Sequence, residues 1–569
     1  MTSLRSSRWL DGDDEVAMLH RVALAGVDYR PGRPVIGIAV TASDLNPCHG
    51  DVTRLVSAVS DGIRDSGATP VAFPAMSLGE DLMKPSAMMY RNLLAIELEE
   101  SIRSYPLDGI IVFAGCDKNV PAALMALASA DIPGLVALVG TRSPGELGTR
   151  RLAAGTDIWR ELENRRAGVT SDSEWQALES GLGRVGPGIC NVMGTAVSMG
   201  LLAEMLGMAM PASATMSARG EEIRAASYET GQMVVAMAES GCRPSARMTP
   251  SAFVNAAKVL AAVGGSTNAV IHLLAVAGRL ALPFNLDSIE DAIRDVPLLA
   301  DVEPCGAGLA QDFHAAGASP ALAHEMADLL DLGCIGADGR TWEAICAGRT
   351  PVTRTIRSLS DPVLPAPTIA VLHGSLAPGG AVIKTAAASA DLLTHRGRAV
   401  VFDDYADMRI RLDDPQLSVD ADSVLVVRDC GPVGAGMPEW GMAPIPKSLA
   451  EQGVRDMVRV SDGRMSGTSF GTVILHVTPE AAVGGPLALV RDGDVIELDV
   501  PSRCINLDVA EEELDRRRAL IEAAPESVER GWPALYRQHV LPASLGCDFD
   551  FLAPRDGPTQ LVEPVIGRS

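Results

Sequence analysis

The sequence predicts an α/β protein in which an N-terminal domain built on a parallel sheet precedes a smaller, β-rich C-terminal domain. Apolar runs rich in β-branched residues, VIGIAV at 35–40 and GIIVF at 109–113, are typical of strands buried on both faces of a parallel sheet. Beyond a proline-rich stretch at 349–380, short strand-like segments follow one another closely. With 569 residues, 47% of them hydrophobic, the chain is long enough for at least two domains.

Strands and helices alternate in the N-terminal part, as in a parallel sheet with helical crossovers. A helix and an arm are predicted within 1–33. The strands are predicted at 35–40, 70–73, 109–113 and 135–139. The helices are predicted at 51–65, 88–103, 121–130 and 196–206, the last one amphipathic, and on either side of a break at 264–268 within 251–282. A long loop is predicted at 141–156.

The cluster of prolines at 349–380 indicates a domain boundary. We therefore predict an N-terminal domain at 1–355, a linker at 356–380 and a C-terminal domain at 381–569. In the C-terminal domain, the predicted elements are strands at 398–402, 423–427, 472–477 and 495–498 and a terminal helix at 510–523.

The charge balance excludes several classes of partner. Acidic residues outnumber basic ones by 72 to 48, and the resulting net charge of -24 repels nucleic acids and anionic membranes. An anionic substrate would therefore need a local cation, and a bound metal ion is the obvious source. No signal peptide and no apolar run of about 20 residues is visible in the sequence, so we expect no membrane contact and a cytoplasmic location.

The ten cysteines do not indicate disulfides in a long chain without a signal peptide, and those with a function are expected to be metal ligands or nucleophiles. Three of them lie in turns that are predicted to meet at one edge of the sheet. Cys48 and Cys116 follow the strands at 35–40 and 109–113, and Cys190 precedes the predicted helix at 196–206. Three thiolates can hold an iron–sulfur cluster with one iron left open. From spacing alone, a zinc site or simple burial of the thiols is an equal alternative.

Asp117 and Lys118 follow Cys116 directly and add a carboxylate and an amine to this edge of the sheet. Their segment is one of several motifs: PCHG (47–50), MSLGE (76–80), GCDKN (115–119), CNVMGTA (190–196), GGSTNAVIHL (264–273), GMPEWG (436–441), SDGRMSGTSFGT (461–472) and HVTPEAAVGGPLALVRDGD (476–494). In this order, they resemble the dihydroxyacid dehydratase and sugar-acid (aldonate) dehydratase family across about residues 4–518. GTDIWR (155–160) and RAVVFDDYADM (398–408) are more similar to the pentonate dehydratases of that family.

The resemblance implies a fold and a set of site residues. The fold is an α/β domain that carries the cluster, with a smaller β-barrel-like domain that completes the site. The implied cluster ligands are Cys48, Cys116 and Cys190. The implied magnesium site is formed by Glu80, Asp117, Lys118 (often carbamylated in relatives) and Glu439, with Asp81 as an open alternative to Glu80. Ser466 would be the catalytic base, and His49 and Thr468 would contact the substrate.

The implied activity is that of a hydro-lyase, which removes water from an aldonate such as a pentonate or hexonate to give a 2-oxo-3-deoxy acid. The cofactors would be an iron–sulfur cluster, with [2Fe–2S] favoured over [4Fe–4S], and Mg²⁺. Lewis acidity at the C3 oxygen would come from the open iron, and Mg²⁺ would acidify the C2 proton that the serine removes. Relatives are homodimers or homotetramers, which implies the same assembly here.

Two alternative functions stay open. One is the dihydroxyacid dehydratase of branched-chain amino-acid synthesis, whose substrate is smaller and more apolar. The other is a non-catalytic iron–sulfur paralogue that binds an acid or senses redox state.

Two departures from the family pattern affect the lining of the site. His49 and Gly50 directly follow Cys48 where most relatives carry Asn, and Cys305 stands in a segment where relatives often have Ser-Gly-Lys. The metal and base positions are kept, so we expect an active dehydratase with a shifted substrate preference. His272 and His476 are interpreted as core histidines rather than ligands.

Overall fold

The computed structural model describes residues 4–49, 52–350, 354–520, 530–554 and 563–566. Gly50 of the first motif, residue 51 at the predicted start of a helix, and residues 521–523 at the predicted end of the terminal helix lie outside the described residues.

A four-stranded parallel sheet organises the N-terminal part. Its strands are β1 (Val35–Val40), β2 (Thr69–Pro74), β3 (Gly109–Ala114) and β4 (Gly134–Leu138), and they lie in the order β2-β1-β3-β4. Every residue of β3 and β4 is buried, as expected for strands covered on both faces. The four strands predicted for this part are confirmed, and because all pairings are parallel, their carboxyl ends share one edge.

The helices of this part are α1 (Ser7–Leu10), α2 (Glu15–Ala23), α3 (Thr53–Asp65), α4 (Ala87–Ser104), α5 (Cys116–Ala130), α6 (Thr156–Arg166), α7 (Asp172–Leu182), α8 (Thr195–Met205), α9 (Glu221–Ser240), α10 (Pro250–Ala262), α11 (Asn268–Arg279), α12 (Leu286–Ile293), α13 (Ala310–Ala315), α14 (Ala318–Glu325) and α15 (Trp342–Cys346). Helices α3, α5 and α9 pack against the sheet. α8 differs from its prediction because all 11 of its residues are buried, so it is apolar all round rather than amphipathic.

Helix α5 begins at Cys116, earlier than the predicted start at Pro121. Proline is common in the first turn of helices, which is why Pro121 resembled a helix start. Here the proline lies in the second turn, where it offers no N–H to the carbonyl of Asp117. As a result, Cys116, Asp117 and Lys118 lie in the first turn of α5 at the carboxyl end of β3, and Cys116 has a φ of 47°.

Two short strand pairs lie outside the main sheets. β5 (Gly145–Leu147) and β6 (Arg150–Leu152) form an antiparallel hairpin within the predicted loop at 141–156. β7 (Pro297–Leu298) and β8 (Leu364–Pro367) are also antiparallel. The predicted linker at 356–380 thus contains β8 and also β9 (Ala370–Leu372), an edge strand of the second large sheet. The domain boundaries themselves stay a prediction.

A mixed eight-stranded sheet organises the C-terminal part. The strands that follow β9 are β10 (Ala381–Ile383), β11 (Thr394–Phe402), β12 (Val424–Val427), β13 (Glu439–Trp440), β14 (Arg459–Ser461), β15 (Arg464–Met465), β16 (Val473–Leu475), β17 (Val495–Asp499) and β18 (Cys504–Asp508). The sheet has the order β18-β17-β11-β12-β14-β16-β10-β9, and β13 pairs separately with β15. His373, next to β9, bridges Cys504 of β18, so the two edges nearly meet, as in a barrel. The predicted β-rich, barrel-like character is confirmed.

Five α-helices accompany this sheet in the part of the chain that the structure describes: α16 (Tyr405–Arg411), α17 (Pro432–Ala435), α18 (Lys447–Glu451), α19 (Glu511–Arg518) and α20 (Trp532–His539). α19 falls within the predicted terminal helix at 510–523. Among the described residues, no helix has the length and apolarity needed to span a bilayer.

Candidate active site

One cavity of about 260 Å³ is lined by residues from both parts of the chain. Its walls include most of the predicted site residues, namely Cys48, Glu80, Cys116, Asp117, Cys190, Glu439, Ser466 and Thr468. The N-terminal part supplies them from the loops after β1 and β2, the first turn of α5 and the segment before α8, whereas the C-terminal part supplies them from β13 and the loop after β15. His49 and Lys118 are not among the residues that line this cavity.

The three predicted cluster thiols share this cavity with one guanidinium. Arg142 Nη2 lies 3.7 Å from Cys48 Sγ. A hydrogen bond between the two thiols lowers the pKa of Cys48 and raises the pKa of Cys116. Burial raises the pKa of Cys190 to about 12. Soft sulfur donors that converge on one cavity beside a positive charge fit an iron–sulfur cluster with an open coordination position.

His49 is fully buried and lies behind the cavity rather than in it. Its Nε2 accepts a hydrogen bond from the N–H of Gly115 at 2.9 Å, so Nδ1 carries the ring proton and donates to Thr41 Oγ1 at 2.7 Å. The Thr41 hydroxyl in turn donates to the carbonyl of Phe113 at 2.6 Å. Burial lowers the pKa of His49 to about 4. Both ring nitrogens are therefore engaged in holding the turn before Cys116, and neither is free for the substrate contact predicted from the sequence.

Three carboxylates that line the cavity also meet one another. One oxygen each from Glu80, Asp117 and Glu439 lies within 4.8 Å of the other two. Lys118 Nζ lies 3.1 Å from Glu80 Oε2, 3.8 Å from Asp117 Oδ2 and 3.9 Å from Glu439 Oε2. Hard oxygen donors at this spacing fit Mg²⁺, whose ligands lie about 2.1 Å from the ion. Asp81 lines the cavity but does not belong to this group, so the geometry favours Glu80 over Asp81.

Arg464 contacts two of these carboxylates. Its Nη2 donates to Glu80 Oε1 at 2.6 Å, its Nη1 pairs with Glu439 Oε2, and its Nε donates to the carbonyl of Met437 at 2.7 Å. Arg464 is fully buried and is the register partner of Glu439 across β13 and β15. It lies just before Ser466 in the SDGRMSGTSFGT motif, which is the only signal for it in the sequence.

The pKa values of the carboxylates show an incomplete charge balance. Burial alone would raise the pKa of Glu80, yet the positive charges of Arg464 and Lys118 lower it to about 2. Burial and the neighbouring Glu80 raise the pKa of Glu439 to about 8, and burial raises the pKa of Asp117. Two cationic side chains thus face three acids, and a divalent cation would add the positive charge that lets all three ionise.

The predicted base, Ser466, lies in a tightly bonded loop after β15. Its N–H donates to the carbonyl of Trp440 at 2.7 Å, and its Oγ lies 2.9 Å from Thr468 Oγ1. The N–H of Thr468 donates to Ser466 Oγ at 3.4 Å. Trp159 Nε1 donates to Thr468 Oγ1 at 2.8 Å.

Two further residues support this site and are not predicted from the sequence. Asn268 Nδ2 lies 3.2 Å from Glu439 Oε2 and 3.3 Å from the carbonyl of Met465. Lys384, after β10, donates to the carbonyl of Gly467 at 3.4 Å and lies beside the Cys305 thiol. An amine from the C-terminal part is therefore present next to Cys305, in the segment that departs from the family pattern.

Comparison with known proteins gives matches over nearly the whole chain. The Dihydroxy-acid/6-phosphogluconate dehydratase N-terminal model matches residues 33–345, and the corresponding C-terminal model matches 354–547. The chain is 43% identical to a 6-deoxy-6-sulfo-D-gluconate dehydratase of Pseudomonas putida, with 96% of each chain covered. It is 41% identical to an L-arabinonate dehydratase of Rhizobium leguminosarum bv. trifolii, again with 96% of each covered. It is 35% identical to Dihydroxy-acid dehydratase 1 of Nocardia farcinica, over 96% of this chain and 98% of that protein.

Proposed function

The chain belongs to the dihydroxy-acid/6-phosphogluconate dehydratase family, and on this premise we propose that it dehydrates an aldonate to a 2-oxo-3-deoxy acid with an iron–sulfur cluster and Mg²⁺. The resemblance predicted from the motifs is confirmed, and so is the prediction that the chain is a hydro-lyase. The observation that carries the proposal is the convergence of three thiols, three carboxylates and Ser466 on one cavity.

In this proposal Cys48, Cys116 and Cys190 hold the cluster, and Glu80, Asp117 and Glu439 hold Mg²⁺. When bound, the open iron supplies Lewis acidity to the C3 oxygen, and Mg²⁺ supplies it to the carboxylate and the C2 hydroxyl. The cluster type stays a prediction. Arg142 beside Cys48 supports the negative charge of the thiolates, since a guanidinium favours the ionised form of a neighbouring thiol.

Lys118 has a particular role in the metal site of this proposal. Its Nζ lies within 4 Å of all three carboxylates, so an ammonium there would compete with Mg²⁺ for the same negative charge. Carbamylation, which the family resemblance implies, would convert this amine into an additional anionic oxygen ligand. Nζ has no partner in hydrogen-bond geometry among the described residues, and it is therefore not committed to another structural contact.

Ser466 removes the C2 proton in the proposed reaction. Its Oγ takes the proton as the C3–O bond breaks, and the electron pair of the C2–H bond forms the C2–C3 double bond. The hydroxide that leaves C3 takes the proton back from Ser466 and is released as water, which returns the serine to its ionised form. The resulting enol tautomerises to the 2-oxo acid by protonation at C3. The serine must be ionised for this step, and the cationic and hydrogen-bonding groups around its loop lower the cost of that charge.

The relatives and the lining of the cavity support a sugar acid as substrate. Identity to the named sugar-acid dehydratases is 41–43%, against 35% to the dihydroxy-acid dehydratase. Asp81, Arg142 and Thr195 add polar groups to the cavity wall beyond the thiols and the carboxylate group. Such groups suit the hydroxyls of an aldonate better than the methyl groups of a branched-chain dihydroxy acid.

The test is 2-oxo-acid formation by anaerobically purified, Mg²⁺-supplied protein with a panel of pentonates, hexonates and 2,3-dihydroxyisovalerate. Turnover of a sugar acid supports the proposal, whereas turnover of dihydroxyisovalerate alone assigns the chain to the branched-chain reaction. Ser466→Ala should abolish turnover while the visible absorbance of the cluster is kept, and the exposed Ser448 provides the matched Ser448→Ala control. Full activity of Ser466→Ala would remove this serine as the base.

A further inference from the structure

Trp159 lies on α6 in the wall of the cavity, and its indole N–H points to the serine loop rather than to the cavity itself. Trp159 Nε1 donates to Thr468 Oγ1 at 2.8 Å, and Thr468 Oγ1 lies 2.9 Å from Ser466 Oγ. Since an indole N–H can only donate, the oxygen of Thr468 must accept in the first contact. Its own hydroxyl hydrogen is then available for Ser466.

Thr468 is fixed through both its backbone and its side chain. Thr156 Oγ1 donates to the carbonyl of Thr468 at 2.9 Å. Gly155 and Gly194 approach it so closely that an added Cβ would lie 2.6 Å from Thr468 Oγ1 and 2.8 Å from its Cγ2, respectively. Thr468 is 6% exposed. With its methyl group against Gly194, the hydroxyl stays between Trp159 and Ser466.

Thr468 offers two hydrogen-bond donors to the oxygen of Ser466. Its N–H lies 3.4 Å from Ser466 Oγ and its hydroxyl 2.9 Å. When Ser466 is ionised it can only accept, so both donors serve the negative charge, as in an oxyanion hole. A hydroxyl that accepts a hydrogen bond is itself a stronger donor because the bonds of a chain polarise one another. The N–H of Trp159 therefore strengthens the bond from Thr468 to the ionised serine.

The indole ring is itself held in a fixed position. An added Cβ at Gly441 would lie 2.1 Å from the ring of Trp159, so the ring packs directly on the backbone next to Trp440. The carbonyl of Trp440 accepts a hydrogen bond from the N–H of Ser466 at 2.7 Å. The ring and the serine loop are thus anchored to the same segment, which keeps the distance from Trp159 to Thr468 constant.

We propose that Trp159 is a positioning residue that acts through Thr468 to stabilise ionised Ser466. This inference rests on the proposed role of Ser466 as the base. Trp159 directs the Thr468 hydroxyl toward Ser466 Oγ, and the loss of its N–H leaves that hydroxyl free to turn away. The effect belongs to the proton-transfer step, so it appears in kcat and leaves KM unchanged.

The experiment measures kcat and KM for four variants with the aldonate that the wild-type protein turns over best. Trp159→Phe should lower kcat about 10-fold and Thr468→Val about 100-fold, each with KM within twofold, while Thr468→Ser keeps the hydroxyl and most of the activity. The double variant Trp159→Phe/Thr468→Val should be no slower than Thr468→Val alone, because the N–H acts only through the missing hydroxyl. Three results would each overturn the inference. The first is a double variant whose loss in kcat is the product of the two single losses. The others are a change confined to KM and an unchanged kcat in Trp159→Phe.

Two controls keep these outcomes separate from misfolding and from failure of the proposed function. If Trp159→Phe loses the cluster absorbance of the wild-type protein, benzothienylalanine placed at position 159 keeps the shape of the ring and removes only the N–H, and it should give the same 10-fold loss. Ser466→Ala is measured in parallel. If it is fully active, the proposed base and this inference fail together, whereas an inactive Ser466→Ala with an unchanged Trp159→Phe refutes only the role of Trp159.

Discussion

Arg464 donates a hydrogen bond to Glu80 at 2.6 Å across a sequence separation of 384 residues. The contact joins the loop after β2 in the N-terminal part to β15 in the C-terminal part. Because the same guanidinium also pairs with Glu439, one side chain fixes the relative position of two carboxylates that come from the two parts of the chain. The shape of the proposed magnesium site therefore depends on a cation that would not itself bind the metal.

Replacing Arg464 should destabilise the protein strongly. Arg464→Met leaves Glu80 and Glu439 buried without their main counter-charge, and breaking a buried ion pair on one side costs about 3–5 kcal/mol. The measurement is urea unfolding of the metal-free protein. Arg396→Met is the matched control, since Arg396 pairs with Glu497 and Asp508 on the surface, where such pairs contribute at most about 1 kcal/mol. Equal unfolding midpoints for the two variants would contradict this prediction.

Each of the three cavity cysteines should be needed for the cluster. Cys48→Ser, Cys116→Ser and Cys190→Ser replace a soft sulfur donor by a hydroxyl, so we expect loss of the visible absorbance and of most of the bound iron after anaerobic purification. Cys334→Ser is the control, because Cys334 is a buried thiol outside the cavity. Wild-type iron content in any one of the three cavity variants would remove that cysteine from the ligand set.

Glu80 and Asp81 should differ sharply in metal binding although they are neighbours in sequence and line the same cavity. Glu80 belongs to the group of three carboxylates and Asp81 does not. Glu80→Gln should weaken Mn²⁺ binding at least about 100-fold, whereas Asp81→Asn should change it less than about threefold. The measurement is titration with Mn²⁺ as a paramagnetic substitute for Mg²⁺. The reverse order of the two variants would identify Asp81 as the ligand.

The sequence is sufficient to predict strands and helices whose residues are all buried to a similar degree. β1 and β3 are nearly continuous apolar runs, which only a strand buried on both faces accommodates in so few residues. The convergence of Cys48 and Cys116 follows from those strands, because parallel neighbours end at the same edge. The start of α5 is less predictable. Proline usually marks the first turn of a helix, but Pro121 lies in the second turn of α5.

Side-chain contacts between distant segments of the chain could not be predicted from local sequence patterns. Arg464 and Asn268 occur in motifs quoted for their family resemblance, yet nothing in those motifs indicates that both side chains reach Glu439. His49 is predicted as a substrate contact from its place beside Cys48, but its ring turns to Gly115 and Thr41. Trp159 gains its partner Thr468 only when the two parts of the chain meet.

A buried acid remote from the proposed chemistry should give the protein a measurable pH dependence. Glu204 on α8 is fully buried, and its oxygens accept from the N–H groups of Ala212 at 3.0 Å and Ala214 at 2.7 Å and from the hydroxyl of Ser319. Burial outweighs these hydrogen bonds and raises the pKa of Glu204 from 4.5 to about 7. Between these two values the unfolded chain loses the proton while the folded protein keeps it.

The contribution of Glu204 to the free energy of unfolding must therefore fall as the pH rises from about 4.5 to about 7. Above that range its contribution stays constant. The full contribution is roughly 3 kcal/mol, since one pKa unit corresponds to about 1.4 kcal/mol. Glu204→Gln cannot ionise, so its stability relative to the wild-type protein should rise by this amount between pH 4.5 and pH 7.5 in urea unfolding. Glu229→Gln, on the exposed face of α9, should show no such trend. A constant difference between Glu204→Gln and the wild-type protein across this range would mean that folding does not raise the pKa of Glu204.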